Sequence, residues 1–350
     1  MLRGLKQLFS IIILLITIAA GFIQTILADE KGYAVILIYH KFDEPKSPST
    51  SVPIEDFKKQ MRYLYENNYN VVSLDKLLQY IKNKNIPPKT IVITIDDGYK
   101  STMKAFKVLK RYNFPFTVFL YMEGVGVYPD YLTKKQINEL KKYPYITFGN
   151  HSFSHRHFAK VSKKLDKEKY VKNFIEDTLK AEEKFKKLIG YKPKFYAYPY
   201  GDYNEILTNV LKNLGYKAAF TQDPASFSYS YDLYTVPRQP IVGHWGNLKH
   251  FIKVLNMKPL EIKNFYPKYG ILTKNPPDKI EAKVRDLSNY KNCGIYVSEL
   301  GWLKPEIKGN ILYVNNLPSF KRWKNRIGFT CFEKSTDKQA RFFYMIINPQ

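Results

Sequence analysis

An α/β architecture built on a parallel sheet, followed by a small β-rich C-terminal region, is what this sequence predicts. Three observations predict it. Short apolar runs of strand type alternate with amphipathic helical stretches from residue 34 to residue 242, the pattern of repeated strand–helix–strand units. The conspicuous polar residues fall directly after those apolar runs, at strand C-terminal ends, where barrel enzymes place their chemistry. Beyond Phe265 the helical periodicity stops, and short strand-like runs separated by Pro, Gly and Asn take over.

The chain opens with a segment outside this pattern. Arg3 and Lys6 precede the charge-free run 11–23, and Ile26-Leu27-Ala28 ahead of Asp29 makes a signal-peptidase site. The uninterrupted apolar run is shorter than the roughly 20 residues a membrane-spanning helix needs. Residues 1–28 are therefore expected to be a cleaved signal peptide, with an uncleaved anchor as the alternative. Either way the chain is expected to be exported, to the periplasm or outside the cell. No Cys stands near the site to carry a lipid.

The first strand is expected at 34–39 (AVILIY), ending at His40. Helical periodicity follows over 53–67 and 73–81, with Ser73 as an N-cap. A buried strand at 90–95 (TIVITI) is broken by Asp96-Asp97-Gly98. Next come a helix at 101–111, a strand at 116–120, and a helix at 133–142 that Thr133 and Gln136 open as a capping box. A short strand at 146–149 delivers His151, and a long charged helix at 166–189 stops at Gly190. Strands at 195–198, 218–221 and 235–242 complete the repeat, with a helix at 204–214 between the first two. The C-terminal strands are expected at 294–297, 310–314, 327–331 and 341–347. The organisation that follows is residues 1–28 as signal, 29–262 as catalytic domain and 263–350 as a small β-rich domain.

Composition narrows the function classes. With 45% hydrophobic residues the chain has enough apolar side chains for a sizeable core, so global disorder is excluded. Lys and Arg outnumber Asp and Glu by 56 to 31, a net charge of +25 that favours polyanions. The lysines are scattered over amphipathic stretches, as a solvated surface has them, and an exported chain with no recognisable nucleic-acid module argues against a nucleic-acid partner. Association with a membrane or the cell envelope, through the N-terminal segment or this basic surface, stays open. The two cysteines, Cys293 and Cys331, fit one disulfide or two buried thiols equally well, and their spacing matches no metal site.

Three motifs carry chemistry. In Thr94-Ile95-Asp96-Asp97-Gly98, two adjacent carboxylates follow an apolar strand, which is unfavourable without a cation or strong donors. Taken alone the motif reads as an Asp-Gly turn. In His151-Ser152-Phe153-Ser154-His155, two imidazoles four residues apart have the spacing to converge on one metal ion. Three of the chain's six histidines fall within seven residues here, and His157, the third, reads as solvent-facing. One Asp and two His leave coordination positions for water and substrate, the arrangement of a catalytic site. The other Asp then serves as a base. Zinc, cobalt, nickel and iron all accept such ligands. The third motif, Tyr196-Ala197-Tyr198-Pro199-Tyr200-Gly201, is a strand ending in a turn edged by aromatic rings, a wall for a sugar ring or simply a buried strand.

In this order and spacing, the three motifs resemble the polysaccharide deacetylase family, carbohydrate esterase family four, over residues 34–255. The leader, the first strand ending in Tyr39-His40 and the AYPYG stretch most resemble exported poly-N-acetylglucosamine deacetylases. The resemblance implies a distorted (β/α)7-type barrel and removal of acetyl groups from an acetylated amino-sugar polysaccharide, with one divalent metal ion, zinc foremost. It implies Asp96 as general base, Asp97, His151 and His155 as metal ligands, and the Tyr200 backbone N–H as oxyanion donor. Two departures stand out. The Arg that the family carries ahead of the motif's proline is replaced by Ala197 and Tyr198, leaving Arg238 as the residue to pair with Asp96. The late Leu-x-His motif that supplies the general acid is absent, since His244 and His250 lack a preceding apolar strand. His40 ends such a strand, resembles the relocated acid of permuted deacetylases and is favoured on that strand context, with His244 as the alternative. Alternatives on the same fold are a peptidoglycan or chitin-oligosaccharide deacetylase or an O-acetyl esterase. A non-catalytic carbohydrate-binding protein is the alternative of another class. Trp302 and Trp323 fit either a sugar-stacking surface or the core of the β-rich domain.

Overall fold

The computed structural model describes residues 32–350. The expected signal segment, 1–28, lies outside the described residues, among which no helix is long and apolar enough to cross a membrane. Residues Tyr33–Gln350 pack as one compact unit.

Seven parallel strands form the main sheet: β1 (Ala34–Tyr39), β2 (Thr90–Ile95), β3 (Phe116–Leu120), β4 (Ile146–Asn150), β5 (Phe195–Ala197), β6 (Ala218–Phe220) and β7 (Gln239–Pro240). Their order is β7-β1-β2-β3-β4-β5-β6, with the short strand Asn70–Val71 pairing β2 beside this path. Among the described residues the α-helices are α1 (Ile54–Glu66), α2 (Leu74–Lys82), α3 (Thr102–Arg111), α4 (Lys134–Lys141), α5 (Lys167–Ile189), α6 (Glu205–Asn213) and α7 (Leu248–Leu255). β1 and β2 are buried throughout and pair residue for residue from Ala34 opposite Thr90 to Tyr39 opposite Ile95. Such continuous apolar runs are what a parallel sheet covered on both faces requires.

The last strand departs from the expected 235–242. Val236 bridges Phe220 of β6, and a few residues on, Gln239 and Pro240 pair with Leu37 and Ile38 of β1. One stretch thus touches both edge strands and draws the sheet into a distorted barrel. Pro237 and Pro240 cannot donate to a ladder, so regular pairing does not run through it. The expected N-caps are present: the Ser73 side chain accepts from Lys76 N, and Thr133 and Gln136 form the reciprocal box. Helix α7 has no counterpart in the sequence reading. Asn247 caps it, and Phe251, Val254 and Leu255 are buried, a stripe too short to stand out by periodicity.

The C-terminal part is β-rich as expected. Strands β8 (Lys258–Pro259), β9 (Ile262–Tyr266), β10 (Gly270–Ile271), β11 (Lys279–Val284), β12 (Tyr290–Val297), β13 (Gly301–Leu303), β14 (Glu306–Lys308), β15 (Ile311–Asn315), β16 (Lys324–Glu333) and β17 (Gln339–Ile347) make two sheets. One has the order β8-β17-β16-β12-β13 with β10 against β17; the other has the order β9-β11-β15-β14. Both contribute to one core that includes Ile280, Leu312, Ile327, Phe329 and Tyr344. β8, on the N-terminal side of residue 262, already belongs to this part. Of the two states open to the cysteines, the disulfide is the one formed: Cys293 on β12 bonds Cys331 on β16 across a separation of 38 residues. Closing a loop of that length stabilises by about 4 kcal/mol on the chain-entropy account.

Candidate functional site

Because the sheet strands are parallel, their C-terminal ends share one rim, and the motif residues gather there. β1 leads directly to His40, β2 to Asp96-Asp97, β4 to His151, and β5 to Tyr200. The rim is held together by backbone bonds: Asp96 N donates to Tyr39 O at 2.9 Å and His151 N to Leu120 O at 3.0 Å.

Asp97 Oδ1 lies 3.1 Å from His151 Nε2 and 3.1 Å from His155 Nε2, and the two Nε2 atoms are 3.2 Å apart. Donors of a tetrahedral zinc site, each about 2.0–2.1 Å from the ion, stand about 3.3 Å apart, so the three atoms already have nearly that spacing. Two further features fit a cation. Asp97 Oδ1 is buried and makes no well-aligned hydrogen bond, its nearest polar neighbours being the two imidazole nitrogens. His151 Nδ1 lies 2.8 Å from Ala197 O, a bond that puts the proton on Nδ1 and leaves the Nε2 lone pair facing Asp97 and His155. These three residues form a group able to hold a metal ion.

The local backbone is bent to achieve this. Asp97, Ser152, His155 and Tyr200 all have positive φ, at 71°, 64°, 51° and 59°. Non-glycine residues there cost on the order of 1–3 kcal/mol each, and such strain clusters at functional sites. Helix α5 supplies part of what holds the histidine loop, since Asp177 accepts from Phe153 N at 2.9 Å and Ser154 N at 3.0 Å. The Ser152 hydroxyl accepts from His155 N at 2.8 Å. Sequence inspection had no signal for Asp177, whose partners lie in a distant loop. Beside Tyr200, Gly201 also has positive φ (70°), and a Cβ there would stand 2.7 Å from Gln222 N. Glycine is required at that turn.

Asp96 is fully buried, and Arg238, equally buried, meets it with both arms: Nη1 to Oδ1 at 2.6 Å and Nη2 to Oδ2 at 2.7 Å. Arg238 is itself oriented by bonds to Thr94 Oγ1 (3.1 Å) and Thr221 O (2.8 Å). It stands on the stretch that links β6 to β1, so barrel closure brings it to Asp96. Burial alone would raise the Asp96 carboxyl, but the Arg238 guanidinium, with His151 behind it, holds it below its ordinary value. Asp97 behaves alike: burial would raise it, and the imidazoles of His151 and His155 carry it well below the carboxylate range. Burial would lower His151, but Asp96 and Asp97 raise it. Removing Arg238 strands a buried carboxylate, so Arg238→Met is expected to lose about 3–5 kcal/mol of stability in denaturant unfolding.

His40 is half-buried at the same rim, where the charges of Asp97, Asp96, Arg238 and His151 act on it. Its Nδ1 is buried with no hydrogen-bond partner, unlike a structural histidine tied to backbone. Burial lowers its pKa, against the opposing pull of Asp97 and Asp96. His244 sits on the turn Gly243–Gly246, bordering an open groove with Asp43, Glu44 and Pro48, and His250 stacks on Trp245.

His157 is solvent-facing as expected, its side chain 42% exposed, but it is also anchored: its Nδ1 is 2.5 Å from the buried Asp202 carboxylate, and its ring stacks on Tyr200 at 3.7 Å. Tyr196 and Tyr198 are buried, so of the aromatic motif only Tyr200, 41% exposed, offers a face to a sugar. Side-chain direction along a turn-ended strand decides this, and composition cannot.

Residues 83–219 match the polysaccharide deacetylase family model, a segment that includes Asp96, Asp97, His151, His155 and Tyr200. The chain is 26% identical over 206 residues to a poly-beta-1,6-N-acetyl-D-glucosamine N-deacetylase of Staphylococcus aureus, covering 57% of this chain and 71% of that protein. In fold it is similar to the Streptococcus pyogenes deacetylase PplD, solved in complex with acetate (TM-score 0.57, 20% identity, 64% of this chain and 98% of that one). It is also similar to IcaB from Ammonifex degensii (TM-score 0.53, 24% identity, 61% and 94%). The distorted barrel of seven parallel strands is the fold of those deacetylases, with the C-terminal sheets added to it. Family match, relative and fold agree on this segment: residues 83–219 are a polysaccharide deacetylase domain, the domain of a hydrolase.

Proposed function

We propose that this protein removes N-acetyl groups from a poly-N-acetylglucosamine-type polysaccharide in a metal-dependent reaction that releases acetate. The observation that carries the reading is the convergence of Asp97, His151 and His155 beside an Asp96 that Arg238 keeps ionised. The name of the Staphylococcus aureus relative supports the choice of glycan.

A divalent ion in that donor set, zinc foremost with cobalt, nickel or iron also suited, would supply Lewis-acid polarisation of the acetyl carbonyl and acidify water at the site. The chain's own groups do the rest. Asp96 accepts a proton from the attacking water, its second oxygen staying on Arg238. The Tyr200 N–H, on the strained turn beside His155, donates to the carbonyl oxygen as charge builds on it. His40 gives a proton to the departing nitrogen as the C–N bond breaks, leaving free amine and acetate.

The donor must be protonated, so activity falls as pH rises through the His40 pKa. Burial lowers that pKa, which places the alkaline limb below the roughly 6.5 of free imidazole. His40→Asn is expected to remove this limb and depress kcat with little change in melting temperature. A stability loss with an unchanged profile assigns His40 a structural role, and the same defect in His244→Asn alone moves the acid there.

Residues 1–28 are proposed to direct export to the cell envelope, ahead of a catalytic domain at 29–262 and a β-rich domain at 263–350. Acetate release, measured across poly-N-acetylglucosamine, peptidoglycan, chitin oligomers and acetylated xylan, tests the substrate. Fastest release from any of the last three overturns the assignment, and no release from any of them favours a binding protein.

A further inference from the structure

The β-rich part reaches the rim of the site along one face of one strand. Side chains two apart on a strand point the same way, and at the start of β16 Lys324 and Arg326 both point at the main barrel. Lys324 Nζ lies 2.5 Å from Asp202 Oδ1, and Arg326 Nε lies 3.1 Å from Asp223 Oδ1. Both carboxylates are 1% exposed, and they follow β5 and β6. A buried carboxylate needs such partners, so these contacts join the two parts. The Lys324 contact goes further. The other oxygen of Asp202 meets His157 Nδ1 at 2.5 Å, and the His157 ring lies nearly flat on Tyr200, 3.7 Å between centroids with 20° between planes. Trp323 meets the His157 ring edge-on at 5.5 Å. Tyr200 itself is 41% exposed and stands 4.6 Å from the ring of His155.

A partly exposed aromatic ring, stacked on a second ring and set beside the Asp97–His151–His155 group, is a surface for the apolar face of a sugar. We propose that Tyr200 is the platform for the sugar unit adjoining the one being deacetylated. Lys324 is then a positioning residue of the C-terminal sheet, acting through Asp202 and His157 to hold that platform. The proposal rests on the deacetylase reading above and assigns the β-rich part a share in substrate binding. The turn at Tyr200 is fixed by its own backbone bonds, Gly201 N to Tyr198 O and Asp202 N to Pro199 O at 2.9 and 3.1 Å. The relay therefore orients the ring and leaves the Tyr200 N–H in place.

The test compares full-length wild type, Lys324→Met and Lys324→Arg on two substrates, the β-1,6-linked N-acetylglucosamine tetramer and 4-nitrophenyl acetate. The second reads the reactive centre without needing a neighbouring sugar. Lys324→Met is expected to raise KM for the tetramer about five- to tenfold, with kcat and ester hydrolysis within about twofold, and Lys324→Arg is expected to restore KM. Calorimetric titration of the tetramer into metal-free protein gives a readout apart from turnover, with Kd weakened by the same factor. An unchanged KM and Kd in Lys324→Met overturns the proposal, whatever happens to the melting temperature. So does a parallel loss on tetramer and ester, which makes the contact a strut only. Wild-type protein that binds the tetramer but releases no acetate from it refutes the deacetylase reading instead, and the Kd comparison then decides the platform.

Discussion

Replacing His151 or His155 by Ala is expected to remove bound metal and turnover together. With three protein donors, the loss of one leaves two, and the affinity lost should exceed the roughly 10–100-fold that an outer hydrogen-bond partner of a ligand is worth. His151→Ala should be the more severe change. It also strips Ala197 O of its 2.8 Å partner and opens a space in a fully buried position. His155, on the exposed side of the group, should lose metal with less loss of stability. Elemental analysis of purified variants is the measurement, and near-normal metal in both single variants would end the assignment of Asp97, His151 and His155 as ligands.

Asp96→Asn should do the opposite: keep the metal and lose the rate. Loss of a general base costs roughly 10²–10⁴ in kcat, so a variant retaining more than about a tenth of the activity, a barrier change near 1.4 kcal/mol, contradicts the role. The structure adds a condition. Both Asp96 oxygens accept from Arg238, so the new amide turns an N–H₂ group toward a guanidinium N–H and leaves donors facing each other. A stability loss of about 1–3 kcal/mol should accompany the loss of rate. The kinetics therefore belong at temperatures well below the variant's melting point, with metal content measured on the same sample.

Much of this site was legible before any coordinates. Asp96, Asp97 and His151 announce themselves because each follows directly on an apolar run of strand type, and His155 by its four-residue spacing from His151. Parallel strands then carry such positions to one rim. Hydrogen-bond capping at Ser73 and Thr133 was legible for a similar reason, since the partners lie within one turn. The less regular pieces were not. Helix α7 is short, and the stretch 235–242, which looks like a strand, forms a ladder at only a few positions because two prolines interrupt it.

By itself, the sequence determined the alternation of strands and helices, the residues at the strand ends and the β-rich character of the C-terminal part. These follow from periodicity and local chemistry, which act over a few residues. Only the tertiary structure decided that Arg238 lies against Asp96, 142 residues away, and that Cys293 and Cys331 are bonded. It also decided that Tyr200 alone of its motif's aromatic rings faces outward, and that Lys324 reaches the Asp202–His157 pair. Each of these depends on where chain segments distant in sequence come to rest, and no local pattern of residues encodes that position.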